Sequence, residues 1–90
     1  MGRNTFYKTN TAAASPTWTE VNLGGSMTGI HIINRGAVAL EFSFNGSDID
    51  GRITPTDGAE TRDSIDESKI FLRGDGATCD YQIEAWRGKP

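Results

Sequence analysis

Apolar and polar residues alternate along three stretches of the chain, residues 28–34, 38–44 and 79–86. Alternation places every second side chain on one face of an extended backbone, so each stretch predicts a half-buried β-strand. In the first, Ile30 and Ile32 share one face and His31 and Ile33 the other. In the second, Val38, Leu40, Phe42 and Phe44 point inward and Glu41 and Ser43 outward. In the third, Cys79, Tyr81, Ile83 and Ala85 lie opposite Asp80, Gln82, Glu84 and Trp86. Asn34-Arg35-Gly36, Asn45-Gly46-Ser47 and Gly74-Asp75-Gly76 punctuate the pattern with residues that tolerate positive φ.

Weaker signals fill the gaps. Residues 17–23 carry Trp18 among β-branched neighbours and predict a strand that Gly24-Gly25 ends. Residues 45–58 form a long polar excursion, crossed by a short strand at Arg52-Ile53-Thr54. Residues 59–65 predict an edge strand blunted by charge. Asp66-Glu67-Ser68 reads as a turn, and Lys69-Ile70-Phe71-Leu72-Arg73 is too short for a helix and reads as a central strand. Residues 1–15 surround Phe6-Tyr7 with polar residues and end in Ala12-Ala13-Ala14-Ser15-Pro16, the composition of an extended N-terminal arm. The expected organisation is that arm followed by one all-β domain over 16–90, a β-sandwich or small barrel of about six to seven strands.

Composition adds a constraint. The chain has 90 residues and a single cysteine, Cys79, so no internal disulfide can staple it, and one histidine, His31, offers no zinc cluster. Small unstapled domains often gain stability from oligomerisation or docking. The net charge is −3 and the nine basic residues are spread along the chain, without the basic stripe that nucleic acid requires. No apolar run is long enough for a membrane-spanning helix. The first residues lack the apolar segment of a secretory signal, and Phe6 stands where myristoylation needs serine or threonine. Synthesis in a reducing cytoplasm is the expectation, in keeping with the lone cysteine.

Candidate chemistry is sparse. Counting Gly51 as the sixth position of a calcium loop puts Asp50 and Asp48 at suitable places, but Gly46 falls first and Asp57 twelfth, so a polar turn explains the residues better. Arg73-Gly74-Asp75 spells an adhesion tripeptide at an expected hairpin tip, yet glycine and aspartate are ordinary turn residues. Asn45-Gly46-Ser47 fits a glycosylation sequon and equally a hairpin turn. His31 has no acid or nucleophile at motif spacing, and Cys79 reads as a small buried hydrophobe. Asp63, Asp66 and Glu67, like Asp48 and Asp50, read as solvated acidic surface rather than a hydrolytic pair. No catalytic, cofactor-binding or metal-binding residue is assigned, and the expectation is a protein that is not an enzyme. The aromatic residues Phe6, Tyr7, Trp18 and Trp86 are the candidate interface, Trp86 because it lies on the outward face of its strand.

Three pieces carry a resemblance: Ile30-His31-Ile32-Ile33-Asn34-Arg35-Gly36 continuing through Leu40-Glu41-Phe42-Ser43-Phe44-Asn45-Gly46, then Ile70-Phe71-Leu72-Arg73-Gly74, then Tyr81-Gln82-Ile83-Glu84-Ala85-Trp86. In their order of short strands and turns, over about two-thirds of the chain, they are similar to small virion structural proteins of tailed bacteriophages. That resemblance implies a small antiparallel, jelly-roll-like β-sandwich without cofactor. It would bind the major capsid protein or another virion protein, decorating or cementing the capsid as a homo-oligomer, with a trimer favoured. The protein would be located in the virion after synthesis in the host cytoplasm, with residues 1–15 clamping a neighbour. Deleting the arm should then leave a folded domain. The alternatives are a tail or fibre component, or a carbohydrate-binding module using Trp86, Trp18 and the polar loop at 45–58.

Overall fold

The computed structural model of the protein describes residues 4–56 and 58–87. Eight strands form: β1 (Asn4–Ala12), β2 (Thr19–Met27), β3 (Gly29–Asn34), β4 (Leu40–Ser43), β5 (Gly51–Ile53), β6 (Ala59–Arg62), β7 (Glu67–Gly74) and β8 (Cys79–Arg87). They make two four-stranded sheets, sheet A in the order β1-β8-β3-β6 and sheet B in the order β2-β7-β4-β5. Every strand pairing is antiparallel. The pairings nest: β1 with β8, β2 with β7, β3 with β6, β4 with β5. A long antiparallel ribbon, closed at β4–β5 and wound so that its pairs fall alternately in the two sheets, is the jelly-roll topology.

The alternating side chains set the core. Ile30 and Ile32 of β3 with Tyr81, Ile83 and Ala85 of β8 face Val21 and Leu23 of β2, Leu40 and Phe42 of β4, and Ile70 and Leu72 of β7. All of these are at most 1% exposed. The alternation expected for β8 is observed residue by residue, and β7 is central as its apolar run requires. β6 lies at the edge of sheet A, where its charges suit it.

Four expectations are corrected. Residues 4–12 are not a free arm but strand β1, paired with β8 at nine successive positions. Its pattern is hidden because two core-side positions are polar, Lys8 and Asn10, between Phe6 and the fully buried Ala12. A deletion of residues 1–15 would therefore strip an edge from sheet A. Gly24-Gly25 does not end β2. Positive φ values of 83° and 146° let the strand shift register between Asn22 and Met27 and continue, with Met27 buried. Val38 and Phe44 lie outside β4 and pack on the core from its flanking loops. Finally, Glu67 and Ser68 open strand β7 rather than forming a turn, while Glu41 and Ser43 point outward as expected and are buried because neighbouring side chains and a loop cover that face.

Edges of open sheets invite pairing with other chains, and all four edges here carry a device against it. Lys8 places a charge on the core side of β1, and Glu60 and Arg62 do the same on β6 while bonding each other at 2.5 Å. β2 carries the glycine bulge, and β5 is three residues long. Association through edges is thereby disfavoured, and the two outer faces are what the molecule presents.

Candidate functional site: the outer faces of the two sheets

On sheet B the outward residues bind one another. Glu41 of β4 stands between Arg73 of β7 and Arg52 of β5 in register. Its Oε1 accepts from Arg73 Nε at 2.7 Å and its Oε2 from Arg52 Nη1 at 2.7 Å. Arg73 also lies over the Trp18 ring, 4.0 Å from its centre, and donates to the Pro16 carbonyl. Arg52 reaches Asp75 Oδ2 at 2.5 Å, and that carboxylate, with Glu41 behind it, raises the Arg52 pKa above its usual value. Phe71, the next outward aromatic, is covered by the turn at Gly46, where φ is 75° and a side chain would press on the ring. This face is closed by its own residues.

The neighbouring loop explains the pair Asp48 and Asp50. Asn45 Oδ1 accepts from the Ser43 hydroxyl and from the backbone N–H groups of Ser47 and Asp48. Asp48 accepts from the Asn45 amide, and Asp50 Oδ2 accepts from the Phe44 N–H at 2.8 Å. These carboxylates stabilise a turn, and Asp57, the supposed twelfth position, lies outside the described residues. Among the described residues no group of three or more His, Cys, Asp and Glu side chains is placed to hold a metal ion. The Arg73-Gly74-Asp75 tripeptide is built into the fold, with Arg73 and Asp75 engaged as above and Gly74 paired with Leu40.

Sheet A differs. Its outward row runs Tyr7 on β1, Glu84 on β8, His31 on β3 and Thr61 on β6. Tyr7 is 62% exposed. His31 Nδ1 lies 2.7 Å from Thr61 Oγ1. Two residues along β8 from Glu84, the Trp86 indole lies half-exposed across Gly29, whose missing side chain makes the room, since a Cβ there would collide with the ring. Of the expected interface residues, the fold brings Tyr7 and Trp86 onto this one face. Phe6 points the other way and packs against the core, and Trp18 lies under Arg73 on the opposite sheet.

Beneath sheet A the buried groups are satisfied. Asn34 donates to the Val38 and Ile53 carbonyls at 2.8 and 3.0 Å and accepts from Gly36 N–H at 2.8 Å. The Cys79 thiol donates to the same side chain at 3.1 Å. Burial pushes the Cys79 thiol pKa up, and likewise that of Tyr81. Cys79 faces the core and His31 faces outward, so the sheet separates the only cysteine from the only histidine. Sequence reasoning missed the role of Asn34, although an asparagine ahead of Arg35-Gly36 marks a turn. It also missed Ile49, 52% exposed on the β4–β5 loop, whose only signal is an isoleucine between two aspartates.

No protein-family model matches the chain, and no curated protein matches it.

Proposed function

We propose that this protein is a non-enzymatic structural component of a phage virion that binds and stabilises the capsid surface as a homo-oligomer, a trimer being the favoured state. The observation that carries the reading is that Tyr7, 62% exposed, and the half-exposed Trp86 both lie on the outer face of sheet A, while the face of sheet B is closed by its own charges. Large amphipathic rings on a rigid sheet give contact area at little cost in conformational entropy, which is why they dominate protein interfaces. The blunted edges support contact through a face rather than by strand addition. The resemblance of the chain's succession of short strands and turns along the sequence to that of small phage virion proteins supplies the virion context. A tail or fibre position would use the same face against a different neighbour.

Co-sedimentation of the full chain with particles lacking it tests the reading. Tyr7→Ser combined with Trp86→Tyr, which keeps a ring over Gly29, is expected to weaken binding at least about tenfold. Unchanged binding would remove the sheet A face from the contact. Light scattering should return the mass of a trimer, and a monomer at concentrations that saturate the particle would overturn the oligomer. Imaging of the native particle distinguishes capsid from tail.

A further inference from the structure

The end of sheet A away from Trp86 holds an open depression of about 340 Å³, on the outer face where β1, β8 and the turn after β3 meet. We propose that it is a subsite for a neutral saccharide. The depression begins about 13 Å along β8 from Trp86, at four residues of extended strand, and one outward position past Tyr7 on β1, so it adjoins the aromatic face without including either ring.

The alternation of β1 and β8 points Thr9, Thr11, Asp80 and Gln82 outward together, and Arg35 enters from the turn. Thr11, Asp80, Arg35 and Gln82 are held before any ligand arrives. Arg35 donates from Nη2 and Nε to Gln82 Oε1 at 3.0 and 3.3 Å, and its backbone N–H donates to the Asp80 carbonyl at 2.9 Å. The Thr11 hydroxyl donates to Asp80 Oδ1 at 2.6 Å. A prearranged site loses little entropy on binding. One carboxylate and one guanidinium share the depression, so their charges cancel and neither an anion nor a cation is favoured over a neutral ligand. Acceptors and donors sit side by side: carboxylate, guanidinium, amide and two hydroxyls. Adjacent hydroxyls of a sugar ring each donate and accept, and so match that set. The volume is at the small end of small-molecule sites, a scale suited to one or two rings.

The test is an amide-shift titration of isotope-labelled full-length protein with glucose, galactose, mannose, N-acetylglucosamine and their disaccharides, beside sialic acid and inorganic phosphate. Saturable shifts confined to Thr9, Thr11, Arg35, Asp80 and Gln82 are expected with at least one neutral sugar. Asp80→Asn and Arg35→Ala should each weaken that binding about tenfold, the loss of one charge-assisted hydrogen bond. Thr9→Val, which leaves the charged pair intact, gives an independent reading should either variant fold poorly. Lys69→Ala on sheet B should bind as the parent does. The absence of saturable shifts with every neutral sugar, response to sialic acid or phosphate alone, or equal binding by all three depression variants would overturn the proposal. Particle binding by the Tyr7 and Trp86 variants reads the other proposal, so the two can fail separately.

Discussion

Across the outer face of sheet B run Trp18, Arg73, Glu41 and Arg52, each touching the next, whereas the corresponding row of sheet A, Tyr7, Glu84, His31 and Thr61, has one close side-chain contact, His31 to Thr61. Both rows occupy outward positions of antiparallel sheets, and both mix aromatic with ionisable residues. Charge order separates them. A carboxylate between two guanidiniums, one of them stacked on an indole, closes on itself and excludes water, leaving Glu41 6% exposed. A carboxylate between a phenol and an imidazole has no such complement, and Tyr7 stays in solvent. One outer face therefore contributes to stability, and the other leaves its exposed tyrosine without such a contribution.

Breaking the closed face should have the largest effect. Glu41→Ala leaves Arg73, whose side chain is 17% exposed, without its carboxylate partner, and should cost about 3 kcal/mol in urea denaturation. Its pairing with the half-exposed Arg52 adds little to that figure because solvent screens it. Next comes the one place where the open face is tightly built. Gly29→Ala drives a methyl group into the Trp86 indole, and should cost about 2 kcal/mol by the same measurement. The smallest effects belong to the rest of the open row. Tyr7→Ala and His31→Ala should each change stability by no more than about 0.5 kcal/mol, as surface substitutions do. Losses from these two comparable to that from Glu41→Ala would erase the distinction between the faces.

Much of this architecture is legible in the residues, for a local reason. Inward and outward assignments in β3 and β8 follow from steric alternation alone, and the charges of β6 and the apolar run of β7 announce an edge and a centre. β1 escapes the same reading because an edge strand can place Lys8 and Asn10 at the rim of the core and still pair along its length. The sheet A face was half legible. Trp86 shows itself as an outward aromatic, but Tyr7 on the same face belongs to a strand far away in sequence, and the Arg35–Gln82 and Thr11–Asp80 contacts join residues widely separated along the chain.

By itself the sequence determined the class of structure, the two faces of the well-patterned strands and the positions of the main turns, because those depend on side-chain alternation and on φ preferences within a few residues. The tertiary structure alone decided which strands are neighbours, that Glu41 is buried, and that Tyr7 and Trp86 share a face while Phe6 and Trp18 do not. Every extended backbone offers the same donors and acceptors to any partner, so strand order is set by how the whole ribbon winds to enclose its apolar side chains.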